Sequence, residues 1–207
     1  MKHIIIDYDV GNLASLSAGF DRAGLAWEIT SDQDTIAQAS SLILPGVGAF
    51  KAAMDALEAK GLIPLIKHHV AQGKPLLGIC LGMQLLYDVS EEYGTHQGLG
   101  FISGRIQPLT GALKVPHMGW NTLRFAKASP LVNALEEGDH VYFVHSFYAH
   151  SSFEEVVAYA PYGVDVPALV HQGSVVGMQF HPEKSALVGT TLLKNYGRFV
   201  DDYYARD

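Results

Sequence analysis

The chain opens on a short β-branched run, HIIIDY (residues 3–8), and passes directly into NLASLSAGFDRAGL, where apolar residues recur at helical spacing as far as Gly24. A glycine suits the end of a helix because it takes up left-handed backbone without steric cost. The pair predicts a strand followed by a helix. WEIT and SLILPGVG read as the next strands, with DTIAQA between them, and GAFKAAMDALEAKGLIPLIKHHVAQG supplies helical material. PLLGIC is an apolar run of strand length, and LGMQLLYDVS is predicted to be the helix after it.

Strands alternating with helices on this scale predict a mostly parallel sheet with helices on both faces. From Gly98 the texture changes. GLGFISGRIQPL, MGWNTLRF, HVYFVHSFYAH, EEVVAYAPYG and PALVHQGSVVGMQFHPE are short β-rich runs, the last with a predicted hairpin about Gln172 and Gly173. SALVGTTLLKNYGRFVDDYYARD then places Val188, Leu192, Tyr196, Phe199 and Tyr203 on one helical stripe. The fold class expected is α/β, a mostly parallel central sheet flanked by helices with an additional antiparallel β-rich part. Without repeats or low-complexity linkers, it reads as a single domain over residues 1–207.

Composition narrows the function classes. With 207 residues, 48% hydrophobic and 17% charged, the chain can bury one sizeable core. A net charge of -7 and no Lys/Arg-dense stretch give no electrostatic footprint for nucleic acid. No apolar run is long enough to span a bilayer, and the opening does not read as a signal peptide. The single cysteine cannot form an internal disulfide, so a reduced, cytoplasmic setting is expected.

That cysteine, Cys80, sits in GICLG, with Gly78 and Gly82 on either side, where a strand gives way to a helix. Free cysteines are among the most buried residue types, so plain packing is the ordinary account of one. The local pattern is instead that of the G-x-S-x-G nucleophile elbow with sulfur in place of oxygen. A residue on such a turn projects at the carboxyl end of the sheet, where open α/β folds bind ligands, and the helix start favours the reactive thiolate. The Leu81 N–H, one of the first-turn amides with no intrahelical partner, is expected to be free to meet an oxyanion.

A cysteine nucleophile needs a base. Of ten histidines, His68 and His69 fall in a predicted helix, His96 in a loop, and His140, His145 and His150 are five apart, so they alternate faces of any unbroken strand. No metal-binding cluster emerges from them, and none is expected. In GMQFHPEKS, His181 and Glu183 lie two apart at a predicted strand end and so would share a side. Glu183 would then hold the His181 ring in one tautomer, the part of the third member of a triad. A surface His-Pro-Glu turn is the competing account.

GICLGMQ followed about a hundred residues later by FHPE resembles the class I glutamine amidotransferase signature, whose Cys, His and Glu release ammonia from glutamine. The resemblance runs along nearly the whole chain. LPGVGAF (44–50), PHMGWN (116–121) and YFVHSFY (142–148) further resemble the branch of that family that serves as the glutaminase subunit in imidazole glycerol phosphate synthases. One departure is visible: the family's VHS is commonly followed by Tyr-Tyr, and here by Phe147 and Tyr148.

The resemblance implies Cys80 as nucleophile, His181 as base and acid, Glu183 as orienting carboxylate, and no metal or organic cofactor. For the oxyanion it points to Leu81 and to a peptide within Gly46, Val47 and Gly48 that turns over under control of a partner. For L-glutamine it points to Gln84, to Glu92 (with Glu91 as competitor, in a segment that otherwise reads as a solvated helix end), and to the backbone of Ser146 and Phe147. The implied partner is a (β/α)₈-barrel cyclase subunit in a heterodimer, with no nucleic acid and no membrane. His117, Met118, Trp120, Asn121, Tyr142 and Lys184 are its interface candidates, since Trp and Met suit an interface core and Lys a rim. Three alternatives stay open: a glutaminase serving a carbamoyl phosphate, anthranilate or pyridoxal phosphate synthase, a free-standing γ-glutamyl hydrolase or cysteine peptidase, and a subunit that kept the fold without catalysis.

Overall fold

The structure, a computed structural model, describes residues 1–110, 114–151 and 154–205. Its first half runs β1 (Lys2–Ile6), α1 (Leu13–Ala23), β2 (Ala26–Thr30), α2 (Gln33–Gln38), β3 (Ser41–Leu44), α3 (Phe50–Ala59), α4 (Leu62–Ala71), β4 (Leu76–Ile79) and α5 (Leu81–Leu85). Then come β5 (Tyr87–Ser90), β6 (His96–Gln97), β7 (Ile102–Pro108), β8 (His117–Thr122), β9 (Arg124–Phe125), β10 (His140–His145) and β11 (Phe147–Ser151). The chain closes with β12 (Val156–Pro161), β13 (Asp165–Gln172), β14 (Val175–Met178) and α6 (Ala186–Tyr204).

An eight-stranded sheet, ordered β2-β1-β3-β4-β14-β13-β12-β9, is parallel from β2 to β14 and antiparallel beyond. Two further sheets, β11-β7-β5-β6 and β10-β8, complete the strands among the described residues. The isoleucines of β1 show why the inner strands read as unbroken apolar runs: both faces are buried. Ile4 and Ile6 pack with Leu42, Leu44, Ile36, Leu57 and Ile66 on one face, while Ile5 and Ile43 meet Phe20 of α1 and Leu192 and Tyr196 of α6 on the other. Residues two apart share a face, so one strand feeds two cores. No helix among the described residues is long and apolar enough to cross a membrane.

The structure departs from several sequence-based expectations. LGMQLLYDVS is not one helix: α5 stops at Leu85, and Tyr87–Ser90 is strand β5, paired with β6 and β7. Long-range partners claim the carbonyls, since Leu85, Leu86 and Tyr87 accept from Leu99, Phe101 and Gly100, and this outweighs local helix propensity. HVYFVHSFYAH divides at Ser146 into β10 and β11, which belong to different sheets. The last hairpin turns on Gly173 and Ser174, one residue later than expected, with Gln172 opposite Val175. The terminal helix begins at Ala186, its buried face widening from Leu192 and Tyr196 to include Gly189, Leu193 and Val200, and residues 206–207 of that run lie outside the described residues.

Candidate active site

Between the end of β4 and the start of α5 a single residue, Cys80, makes the turn, at φ 55° and ψ -112°. A non-glycine residue on such backbone costs about 1–3 kcal/mol and persists only where the surroundings enforce it. Here Cys80 N–H donates to Met178 O at 2.7 Å. A Cβ at Gly78 would come within 2.6 Å of Gly82 O, and one at Gly82 within 1.8 Å of Leu44 O. Only hydrogen fits at either position. The glycines thus let α5 start hard against the ends of β3 and β4, and the buried Cys80 thiol sits there at a cavity wall, 3.9 Å from Val144 O.

His181 and Glu183 meet, but not as neighbours on a strand face. β14 ends at Met178, and Pro182–Lys184 forms a short 3-10 turn that folds Glu183 back to the ring, with His181 Nδ1 2.8 Å from Glu183 Oε1. Both are buried. The carboxylate fixes the proton on Nδ1, leaving Nε2, which makes no hydrogen bond, as the working nitrogen. Burial opposes charge on this ring, yet the Cys80 sulfur and the Glu183 carboxylate outweigh it and raise its pKa to about 10.

Tyr142, expected only at an interface, and Ser185, Arg22 and Tyr8, which the sequence reading passed over, hold this arrangement. His181 N–H donates to Tyr142 O at 2.9 Å, and the Ser185 hydroxyl donates to His181 O at 2.6 Å while accepting from Tyr142 N–H at 2.9 Å. Arg22 of α1 donates to the Glu183 carbonyl at 2.6 Å. Tyr8, buried at the end of β1, donates its hydroxyl to Pro45 O at 2.5 Å and so anchors the segment that leads to Gly46. Most of these contacts join segments distant in sequence, and only the Ser185 hydroxyl on His181 O is local, four residues on.

The Leu81 N–H is not free as expected: it donates to Gly46 O at 3.3 Å. A trans peptide is planar, so the Val47 N–H of the same unit points away from Leu81. Gln84 donates Nε2 to both Phe147 O and Gln179 Oε1 at 3.0 Å, which spends both amide hydrogens and leaves its own oxygen as an acceptor. Glu92 does not end a helix. It follows β5 and accepts the Phe50 N–H at the start of α3 at 2.6 Å, whereas Glu91 forms an exposed ion pair with Arg105 at 2.9 Å. These groups converge on one cavity of about 350 Å³, whose lining includes Val47, Cys80, Gln84, Glu92, Phe147 and His181. Leu81, Gly48 and Ser146 also reach it, as do Tyr93 and His145, which were not expected.

The interface candidates divide. Met118 and Trp120 are 61% and 53% exposed, Tyr142 is half-buried with its ring edge-on to Trp120, and Lys184 is exposed. His117 is a correction: at 2% exposure its ring is stacked between Tyr162 and Phe143, so it offers no surface. Asn121 also turns inward, donating to Pro161 O at 2.9 Å. Among the described residues no cluster of His, Cys, Asp and Glu suits a metal ion.

Comparison with known proteins places the chain in a family. The family model for class I glutamine amidotransferases matches residues 4–197. Imidazole glycerol phosphate synthase subunit HisH of Geobacillus kaustophilus is 52% identical over 199 residues, covering 93% of this chain and 94% of that protein. The subunit of the same name from Lactococcus lactis is 48% identical over 196 residues, covering 94% and 97%. Among solved structures, a crystal structure of a glutamine amidotransferase superposes with a TM-score of 0.76 at 20% identity, covering 96% of this chain and 98% of the other. PurLQS from Thermotoga maritima gives 0.72 at 19% identity, with the same coverage. The nucleophile elbow, the match along most of the length and the identity to these relatives lead to one conclusion: the chain belongs to the class I glutamine amidotransferase family.

Proposed function

We propose that the chain, as one catalytic domain over residues 1–207, is the glutaminase subunit of an imidazole glycerol phosphate synthase in the cytoplasm. It hydrolyses glutamine to glutamate and ammonia and hands the ammonia to a (β/α)₈-barrel cyclase subunit. The observation that carries this is Cys80 on a strained elbow sharing a cavity with His181, whose far nitrogen is held by Glu183. Identity near 50% to subunits of that name supports the choice of pathway.

Cys80 sulfur, having given its proton to His181 Nε2, attacks the carboxamide carbon of glutamine. His181 returns that proton to the departing nitrogen, leaving a γ-glutamyl thioester. A water molecule gives a proton to His181 Nε2 as it attacks the thioester carbon, and the thiolate is expelled with glutamate. Gln84, Glu92 and the backbone at Ser146 and Phe147 receive the amino-acid end. Glu92 offers its charge to the ammonium group, and the Gln84 oxygen accepts a hydrogen bond.

The tetrahedral oxygen needs donors where the Gly46 carbonyl now sits. Turning the Gly46–Val47 peptide would free Leu81 N–H and bring Val47 N–H to the same place. Gly48, at φ 96°, lets the chain beyond Val47 follow. Val47 is 43% exposed at the cavity, within reach of a docked subunit. The orientation present is therefore a resting one, and the partner, docked over Met118, Trp120, Tyr142 and Lys184, drives the turn when it holds its own substrate.

Glutamate release is measured for the chain alone, with the cyclase, and with the cyclase and its nucleotide ligand. Weak release alone and a sharp rise only with the liganded cyclase is the expected result. Fast release that ignores the cyclase would overturn the partner assignment and favour a free-standing hydrolase.

A further inference from the structure

Two buried histidines beside the cavity, His117 and His145, have no part in the chemistry above. They face each other across the β8–β10 ribbon, where His145 is the register partner of His117. His145 Nδ1 lies 2.8 Å from Phe147 O, His117 Nδ1 lies 2.9 Å from His145 Nε2, and Asn121 Nδ2 lies 3.1 Å from His117 Nε2. The Asn121 amide is itself fixed, donating to Pro161 O and accepting Thr122 N–H at 2.8 Å.

The protons in this chain can be placed from its ends. A carbonyl only accepts, so His145 carries hydrogen on Nδ1 and presents a lone pair at Nε2. His117 Nδ1 must then donate, which leaves its Nε2 to accept from Asn121. Each link permits the next only if both rings are neutral, since an added proton sets N–H against N–H. Burial agrees, lowering the pKa of His117 to about 4 and of His145 to about 3. The run therefore has one direction, from Asn121 to Phe147 O. That oxygen also accepts from Gln84, which lines the cavity.

We propose that His117 and His145 are positioning residues for glutamine: the Asn121–His117–His145 relay fixes the Phe147 carbonyl and, through it, the Gln84 side chain that receives the substrate. The two strands divide at Ser146, where β10 ends and β11 leaves for another sheet, and there the register partner of Phe147 is Pro108 of β7, which has no N–H to serve its carbonyl as a donor. The relay takes the place of one. It also starts on β8, whose outer face carries the exposed Met118 and Trp120, so the strand under the proposed partner surface is the strand from which the relay runs to the cavity lining at His145 and Phe147.

This rests on the glutaminase reading, and two variants test it in the complex with liganded cyclase. H117F keeps a ring between Tyr162 and Phe143 but leaves His145 Nε2 without a donor. H117N loses the ring but places an amide nitrogen where Nδ1 was. The relay requires KM for glutamine to rise about tenfold or more in H117F, with kcat within about twofold of wild type, and to return toward wild type in H117N. A packing role alone requires the reverse order, and wild-type KM in H117F overturns the proposal.

Should both variants misfold, nitrogen NMR of the histidine-labelled wild type decides. At neutral pH both rings are expected as the Nδ1–H tautomer, the minor form of free histidine. Either ring found charged, or protonated at Nε2, overturns the relay. The spectrum needs no catalysis, so it separates failure of the relay from failure of the glutaminase reading.

Discussion

Gly82→Ala tests how closely the elbow and the oxyanion segment are bound together. The added Cβ would lie 1.8 Å from the Leu44 carbonyl oxygen, 2.8 Å from its carbon and 3.2 Å from Pro45 C. Carbon and oxygen in even close contact stand about 3.3 Å apart, so the end of β3 must retreat by roughly 1.5 Å. All three atoms are backbone, and no rotamer change relieves them. Overpacking of this kind costs about 1–3 kcal/mol, which lowers Tm by several degrees in a chain of this size. The catalytic cost is larger, because the retreat carries Pro45 through Gly48 away from Cys80, and a misplacement of about 1 Å is enough to cost on the order of 10²-fold.

Glutamate release by the complex is the assay, with thermal melting beside it. Gly138→Ala is the control: at φ 92° with nothing within 4 Å, it strains the backbone without touching the cavity lining. G82A is expected to lose about 10²-fold or more in kcat while still folding, and G138A to melt lower with kcat intact. A G82A enzyme with wild-type kcat would refute the claim that this close approach sets the catalytic geometry.

Glu183→Gln removes the charge that holds His181 in one tautomer, and kcat should fall about 10²- to 10⁴-fold with glutamine KM nearly unchanged; an equal loss in KM would point to collapse of the pocket. His3 and His69, like His117, are held at about 4 and His145 at about 3, chiefly by burial, so the unfolded chain takes up protons near pH 6.5 that the native chain refuses. Stability should therefore drop as pH falls from about 6.5 toward 4, at up to ~5 kcal/mol per pH unit for four protons, as read from urea melts. His181 contributes in the opposite range: its share is complete below about 6.5 and is lost as pH rises through about 10. Trp120→Ala should weaken cyclase binding by about tenfold or more while glutaminase activity at saturating cyclase persists, and unchanged affinity would remove Trp120 from the interface.

What the sequence made legible is local. GICLG announces a tight turn because glycine spacing is itself the physical requirement, and the burial of β1 on both faces is visible in its unbroken run of isoleucines. FHPE brought the right pair together for a reason that proved wrong, a shared strand face where the structure uses a 3-10 turn. The first-turn rule held for Leu81 as far as helix partners go, but it cannot see Gly46 arriving from another strand. YDVS was lost for the same cause, since its strand pairing is made with residues beyond Gly94. His117 was assigned to the surface by its motif, and only the register of β8 on β10 shows it turned inward against His145.

The most direct test of the central claim, a cysteine nucleophile acting on glutamine, is to quench the complex during turnover and examine the peptide that carries Cys80 by mass spectrometry. A γ-glutamyl group on Cys80 is expected, absent without glutamine and absent in C80A, with glutamate release abolished in that variant. Glutamate release that continues in C80A, or turnover with no adduct on Cys80, would contradict the account.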